Sequence, residues 1–175
     1  MHRFSELVYR STAFSLDSLE DLESKVIEQL QTSTSTGLVK TLQMVQLQKA
    51  IIAIGMFSLF ESILQDGLTC KNGFDEAKII LDQSGNVDLK NRFDDFICAI
   101  NVLKHGKGRS YDALVAKSTS LPFRIKLTEE DFFNEGDVSE VSTLIEVNDK
   151  FVLDCAKLIE EVSEEIRKTH LDFSS

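Results

Sequence analysis

One short stretch of the sequence, residues 101–111, brings together several side chains that could do chemistry. They are Asn101, Lys104, His105, Lys107 and Arg109, with glycines at 106 and 108. Histidine gains and loses a proton near neutral pH, so it can act as a general acid or base. Lysine and arginine bind phosphate oxygens. The sequence therefore predicts a phosphate-binding turn in which three cations surround His105, with Asn101 as a second polar group.

A structural interpretation of the same stretch stays open. Cations in the last turn of a helix are stabilised by the helix dipole, which would explain Lys104 and His105 without any ligand. Charge is also unevenly distributed along the chain. Residues 90–126 carry eight basic and three acidic residues, whereas residues 127–175 carry four basic and fourteen acidic ones. The basic zone could therefore pack against the acidic end of the chain instead of binding phosphate.

Other kinds of site lack their sequence patterns. A phosphate loop of the nucleotide-binding type needs four residues between its first glycine and the Gly-Lys pair, and it follows a strand. Here Gly106 and Gly108 follow a predicted helix. The three histidines have no carboxylates at the helical spacing of metal ligands, and no serine lies in a nucleophile elbow. We therefore expect no metal and no cofactor.

The elements that must position this stretch are mainly helices. Apolar residues at three- and four-residue steps predict helices over about 16–32, 38–66, 74–83, 88–105 and 110–116, and a last helix from Leu144 to Ile166. Ser35 or Thr36 could cap the second helix, and a hydroxyl could cap the helix at 110. Gly106 suits the end of the fourth helix. Residues 121–127 alternate between apolar and basic side chains, so this segment should be extended. Residues 128–139 should form a loop.

The second helix is predicted to be the centre of the fold. From Ala50 to Phe60 it is apolar on nearly every face, which is typical of a helix buried on several sides. A membrane span is not favoured because Gln48, Lys49 and Glu61 bracket this run, which is shorter than the roughly 20 apolar residues a span needs. Close approach of another helix would explain Gly55.

Composition favours a single mainly α domain over residues 1–175. One proline and eight glycines are few for a β-rich fold, and twelve phenylalanines without tryptophan predict a core of Phe and aliphatic side chains. Three dispersed cysteines fit buried thiols in a reducing compartment. The residues after Met1 lack the apolar core of a signal peptide, so we expect a cytoplasmic protein. A net charge of −10 argues against broad nucleic-acid or membrane binding.

The segments Ile100–Gly106 and Gly108–Tyr111 resemble the end of the signature helix in HEPN domains. That resemblance implies a helical bundle with two long central antiparallel helices. HEPN domains are often dimeric and are common in toxin–antitoxin and phage-defence systems. Active members are metal-independent endoribonucleases with an arginine four to six residues before the motif histidine. The resemblance implies that Asn101 is the polar motif residue and His105 the histidine, and that a homodimer forms.

The sequence departs from this family pattern at the arginine. Positions 98, 99 and 100 hold Cys, Ala and Ile, and Arg92 would lie roughly 20 Å from His105 along a helix. An arginine is needed to stabilise charge on the phosphate during RNA cleavage. We therefore expect a non-catalytic module that dimerises and binds a partner protein or a nucleic-acid ligand. A divergent ribonuclease using His105 is the alternative, and an unrelated helical bundle is a third.

Overall fold

Six helices make up most of the chain in the computed structural model, which describes residues 3–33, 35–127, 130, 141–170 and 173. In chain order they are α1 (Phe4–Leu30), α2 (Thr36–Gly67), α3 (Gly73–Gln83), α4 (Val87–His105), α5 (Arg109–Val115) and α6 (Asp149–Thr169). Within these ranges there is no strand, and one isolated antiparallel bridge joins Ile125 to Ile145. The prediction of a mainly α bundle is confirmed, and residues 121–127 contribute only that bridge.

Helix α1 begins much earlier than its apolar pattern predicts. The expected start near residue 16 is wrong, since the helix begins at Phe4. Its buried face continues toward the N-terminus through Ser5 and Thr12, which are each only 2% exposed. These small polar residues occupy core positions at helical spacing and interrupt the apolar period. Leu22, expected in the core, is 41% exposed.

Helix α2 begins and ends close to the predicted residues. Ser35 caps it as expected, because its hydroxyl accepts a hydrogen bond from the backbone N–H of Gly37 at 3.2 Å. The helix packs against α1, α3, α4 and α6, which confirms its central position. One face nevertheless remains outside: Leu59, expected to be buried, is 59% exposed. Nothing in the described chain lies within 4 Å of a Cβ built on Gly55, so no helix approaches there.

By length and composition, α2 is the one helix in the described ranges that could cross a membrane. Its most apolar window is 39% buried inside the fold. The core helix of a soluble bundle passes the same test. The composition of α2 alone therefore does not distinguish a membrane-spanning helix from a core helix.

A buried lysine joins three of the helices. Lys49 on α2 is only 4% exposed, and its Nζ lies 3.3 Å from a Glu23 carboxylate oxygen on α1. The same Nζ lies 2.7 Å from Oδ1 of Asp149, the first residue of α6. A buried ammonium is tolerated only when anions satisfy it. Lys49 therefore fixes α1 at Glu23 and the start of α6 against the middle of α2.

Two groups of phenylalanine rings hold α4 in place. Phe93 packs against Phe57 of α2 and Phe74 of α3, with ring centroids 6.3 and 5.6 Å away. Phe96 packs against Phe123 and Phe151, at 5.1 and 5.4 Å. Aromatic pairs at such distances stabilise a core beyond their buried area. The two groups fix the rotation of α4 about its axis, and the prediction of a Phe-based core is confirmed.

Helix α6 begins later than predicted. The apolar residues Leu144 and Val147 lie before it, in the extended segment that forms the bridge to Ile125, and the helix begins at Asp149. Asn148 caps it by accepting a hydrogen bond from the backbone N–H of Phe151 at 2.9 Å. The loop predicted over 128–139 lies outside the described residues except for its residue 130.

The acidic face predicted for α6 is only partly exposed. Glu165 is 9% exposed and accepts a 2.6 Å bond from Lys168. This bond lowers the pKa of the Glu165 carboxyl, and Ser84 and Asn86 act in the same direction. Glu165 therefore lies against the turn between α3 and α4, and its expected place on an outer face is wrong.

The Lys49 arrangement predicts unequal effects of removing the lysine and removing its partners. Lys49→Met should reduce the free energy of unfolding by about 1 kcal/mol, because methionine fills the space and both carboxylates can be hydrated. Glu23→Gln with Asp149→Asn should cost about 3 kcal/mol, because a buried ammonium loses its anions. Urea denaturation measures both. A Lys49→Met loss as large as that of the double variant would contradict the account.

Candidate functional site

The basic turn, residues 104–109, is positioned by the end of α4. Val102 is buried, while Lys104 and His105 on the last turn are exposed. The helix stops at Gly106, whose φ of +75° and ψ of −146° belong to a region that only glycine adopts readily. Its N–H still donates to the carbonyl of Val102 at 2.8 Å. The predicted role of Gly106 as terminator is confirmed.

The turn is held by the helix that follows it. Tyr111 on α5 is buried, and its hydroxyl donates to the carbonyl of Lys126 at 2.9 Å. The Lys107 Nζ lies 5.7 Å from the centre of the Tyr111 ring, a cation–π distance. Lys107 is thus oriented by a fixed ring although its side chain is exposed.

Ser110 does not cap α5, which corrects the expected hydroxyl cap. The residue before α5 is Gly108, and no side-chain bond caps this helix. Ser110 instead lies near the Cys98 thiol, about two turns before the end of α4, and acts to lower the pKa of that thiol. Burial and the nearby Asp94 carboxylate outweigh this effect and raise the pKa of the Cys98 thiol. A thiol with a raised pKa is a poor nucleophile.

The cations of the basic turn differ from most others in the basic zone. Arg92 bonds Glu161 of α6, and Lys117 bonds Asp95. The Arg92 pair agrees with the structural interpretation that the basic zone packs against the acidic end of the chain, whereas the partner of Lys117 lies within the basic zone itself. In the described part of the chain, no acidic side chain forms an ion pair with Lys104, Lys107 or Arg109, and all three are exposed. Their charges are therefore available to a ligand.

A cleft of about 340 Å³ begins beside the basic turn. Asn101 and Lys104 line its α4 wall, and Phe74 and Lys78 line the wall from α3. Lys78 is held by two carboxylates, Asp75 at 3.0 Å and Asp94 at 3.1 Å. The α3 residues were not singled out in the sequence, because only packing brings them to this site. No local spacing could have revealed them.

The structure thus brings together two of the expected site residues, Asn101 and Lys104, along one cleft. His105, Lys107 and Arg109 lie on the adjoining exposed turn. The arginine of the nuclease pattern has no substitute on α4, because Ala99 and Ile100 are buried in the core and Arg92 is bonded to Glu161. The site can therefore bind an anion and move a proton at His105, but α4 offers no guanidinium beside that histidine.

Among the described residues, no group of three or more His, Cys, Asp or Glu side chains is placed to hold a metal ion. No protein-family model, no curated protein and no solved structure matches the chain.

The two glycines of the turn should respond differently to alanine. Gly106→Ala should reduce the free energy of unfolding by about 1–3 kcal/mol, because a Cβ is strained at this φ and ψ. Gly108 has an extended backbone with a φ of 166°, and nothing lies within 4 Å of a Cβ built there. Gly108→Ala is therefore the matched control and should change stability little. Thermal unfolding followed by circular dichroism measures the stability of both variants. An equal loss of stability in the two would contradict this account.

Proposed function

We propose that the protein is a non-catalytic helical binding module of the HEPN type, which uses its basic turn to bind the phosphate backbone of RNA. The observation that carries this proposal is a set of exposed cations on one glycine-bounded turn, Lys104, Lys107 and Arg109, none of which forms an ion pair with an acidic residue that the structure describes. Most neighbouring cations are neutralised within the fold, so the turn is where binding of a polyanion is favoured.

The negative charge of the whole chain limits how such a site can act. With a net charge of −10, most of the surface repels a polyanion, so phosphate contact is confined to the turn. The cleft beside it also carries carboxylates, those of Glu61, Asp75 and Asp94, so it suits an uncharged base and not a phosphate. Three cations correspond to a small number of phosphate contacts. We therefore expect weak binding with a modest dependence on salt, directed to a single strand whose bases can enter the cleft beside Asn101.

The absence of catalysis follows from the surroundings of His105. A ribonuclease must stabilise negative charge on the phosphate as the 2′-hydroxyl attacks. On α4, the positions at which the HEPN pattern has arginine are occupied by Cys98, Ala99 and Ile100, and Ala99 is fully buried. On α4, His105 therefore has no guanidinium beside it with which to complete a cleavage site.

The exposure of His105 also supports the second candidate function, a divergent metal-independent endoribonuclease. In that function Arg109 or a lysine of the turn would replace the family arginine, and Asn101 would assist. His105 would act as the proton-transfer group, since an exposed imidazole beside cations can reach a phosphodiester. The two functions share the same turn and differ in whether RNA leaves it intact.

Removing the three cations together should weaken RNA binding. For the variant Lys104→Ala, Lys107→Ala, Arg109→Ala we expect at least about a tenfold rise in the dissociation constant for single-stranded RNA, and a salt slope smaller by about two. Fluorescence anisotropy at several salt concentrations measures both quantities. The matched control, Lys25→Ala, Lys71→Ala, Lys157→Ala, changes the net charge equally at exposed sites elsewhere. An equal loss of RNA affinity in the control variant would contradict a binding site located at the turn.

Substituting His105 separates binding from cleavage. We expect wild-type protein and His105→Ala to leave a labelled RNA intact in the presence of a chelator, and to bind it with similar affinity. Gel electrophoresis of the RNA after incubation is the measurement. Cleavage by the wild type that disappears in His105→Ala would instead establish the ribonuclease function.

A further inference from the structure

The outer face of α2 exposes more apolar surface than a solvated helix normally does. Met44, Leu47, Ile51 and Leu59 are 64%, 48%, 51% and 59% exposed. They recur at steps of three, four and eight residues, so they form one stripe along the helix, opposite the side that packs into the bundle. Contiguous exposed apolar surface on a soluble protein marks an interaction site.

Small residues lie within the same stripe. Gly55, Ser58 and Ser62 follow Ile51 at helical spacing, and the two serines are exposed. A Cβ built on Gly55 would meet nothing within 4 Å, so the fold itself gives no reason for a glycine in this helix. The stripe therefore has large side chains toward its N-terminal half, and small residues with one leucine toward its C-terminal half.

This arrangement is complementary to itself when two copies of α2 pack antiparallel. With Ala53 level with the crossing point, residues equally far before and after it face one another across the two helices. Ile51 then faces Gly55 and Met44 faces Ser62, while Leu47 and Leu59 lie level with one another on the two opposite edges of the contact. A large side chain meets a glycine or a serine in two of these pairs, which allows the helices to approach closely.

The charged residues at the two ends of the stripe are also complementary in this antiparallel register. Lys40 and Asp66 are both exposed and lie thirteen residues before and after Ala53. No ion pair involving either residue forms in the described part of the chain. In the antiparallel arrangement Lys40 of each copy faces Asp66 of the other copy. The two Lys40–Asp66 pairs lie about 39 Å apart, one at each end of the interface. A parallel arrangement would instead put like charges together.

We propose that the outer face of α2 is a homodimer interface, in which two copies cross antiparallel about a twofold axis level with Ala53. The occupant is a second copy because size and charge complementarity coincide in one self-matching register, which is what an isologous interface requires. A lipid surface would not account for the opposite charges at equal distances from the centre, nor for Gln48 and the serines within the stripe.

This interface does not use the basic turn and does not rest on the proposed RNA binding; it meets the cleft beside that turn only at its edge, through Ser58. The HEPN resemblance by itself would place Asn101 and His105 of two subunits opposite each other. The α2 stripe assigns the contact to a different surface. A contact made by one helix face is small, so the dimer should form at micromolar concentration and dissociate on dilution.

Sedimentation velocity of the whole chain at increasing concentration tests the interface. The wild type should shift from a 19.7 kDa monomer to twice that mass. Lys40→Glu and Asp66→Lys should each raise the dimer dissociation constant by at least about tenfold, because like charges then meet at both ends. An equimolar mixture of the two variants should restore dimers, since the reversed charges match across the two copies.

Two further variants complete the test. Lys25→Glu changes an exposed lysine of α1 by the same charge and should leave the dimer intact. Gly55→Leu should give a monomer with an unchanged circular dichroism spectrum, because leucine is a better helix former than glycine and fills only the position facing Ile51 of the other copy.

Four results would overturn the proposal. The first is a wild type that stays monomeric at every concentration, and the second is a Lys25→Glu variant that loses as much dimer affinity as Lys40→Glu. The third is an equimolar mixture of the charge-reversal variants that fails to restore dimers. The fourth is a monomer that floats with vesicles of phosphatidylcholine and phosphatidylglycerol. The last result would assign the stripe to a membrane surface instead.

Discussion

The burial of one charged group, the Lys49 ammonium, constrains the arrangement of the helices. It lies in the middle of the most apolar helix, where it needs anions from other elements to be tolerated. Glu23 reaches it from α1 and Asp149 from the first turn of α6. Asp149 is doubly favoured, because a carboxylate at a helix N-terminus also interacts well with the helix dipole. The three helices can therefore meet in few other arrangements.

The candidate site is a consequence of that frame. With α1, α2 and α6 fixed, α4 enters the remaining space and is held by Phe93 on one side and Phe96 on the other. Its last turn then projects beyond the core, and Gly106 reverses the chain there. The ion pairs made by Arg92 and Lys117 neutralise the earlier part of the basic zone. What remains charged and accessible is the turn itself.

The sequence predicts an element most accurately where residues with special backbone requirements bound it. Ser35 begins α2 and Gly106 ends α4, and the predicted bounds of these helices agree with the structure to within two residues. The prediction fails where polarity and burial do not coincide. Ser5 and Thr12 are polar yet buried, so the start of α1 was missed.

The same limit applies to single residues of the core and the site. Leu59 has the polarity of a core residue and lies outside, while Glu165 has the polarity of a surface residue and lies inside. The cations of the turn could be predicted because they are adjacent in sequence. The α3 wall of the cleft could not be predicted, since Phe74 and Lys78 reach Asn101 only through tertiary packing. Whether a cation is paired likewise depends on distant helices, as Arg92 and Glu161 show.

Hydrogen–deuterium exchange with and without single-stranded RNA tests most directly the claim that the basic turn is the binding surface. The account predicts slower exchange of backbone amides over residues 103–112 when RNA is present, with α6 unchanged. Unchanged exchange over those residues under conditions where RNA is bound, or protection concentrated on another element, would contradict it.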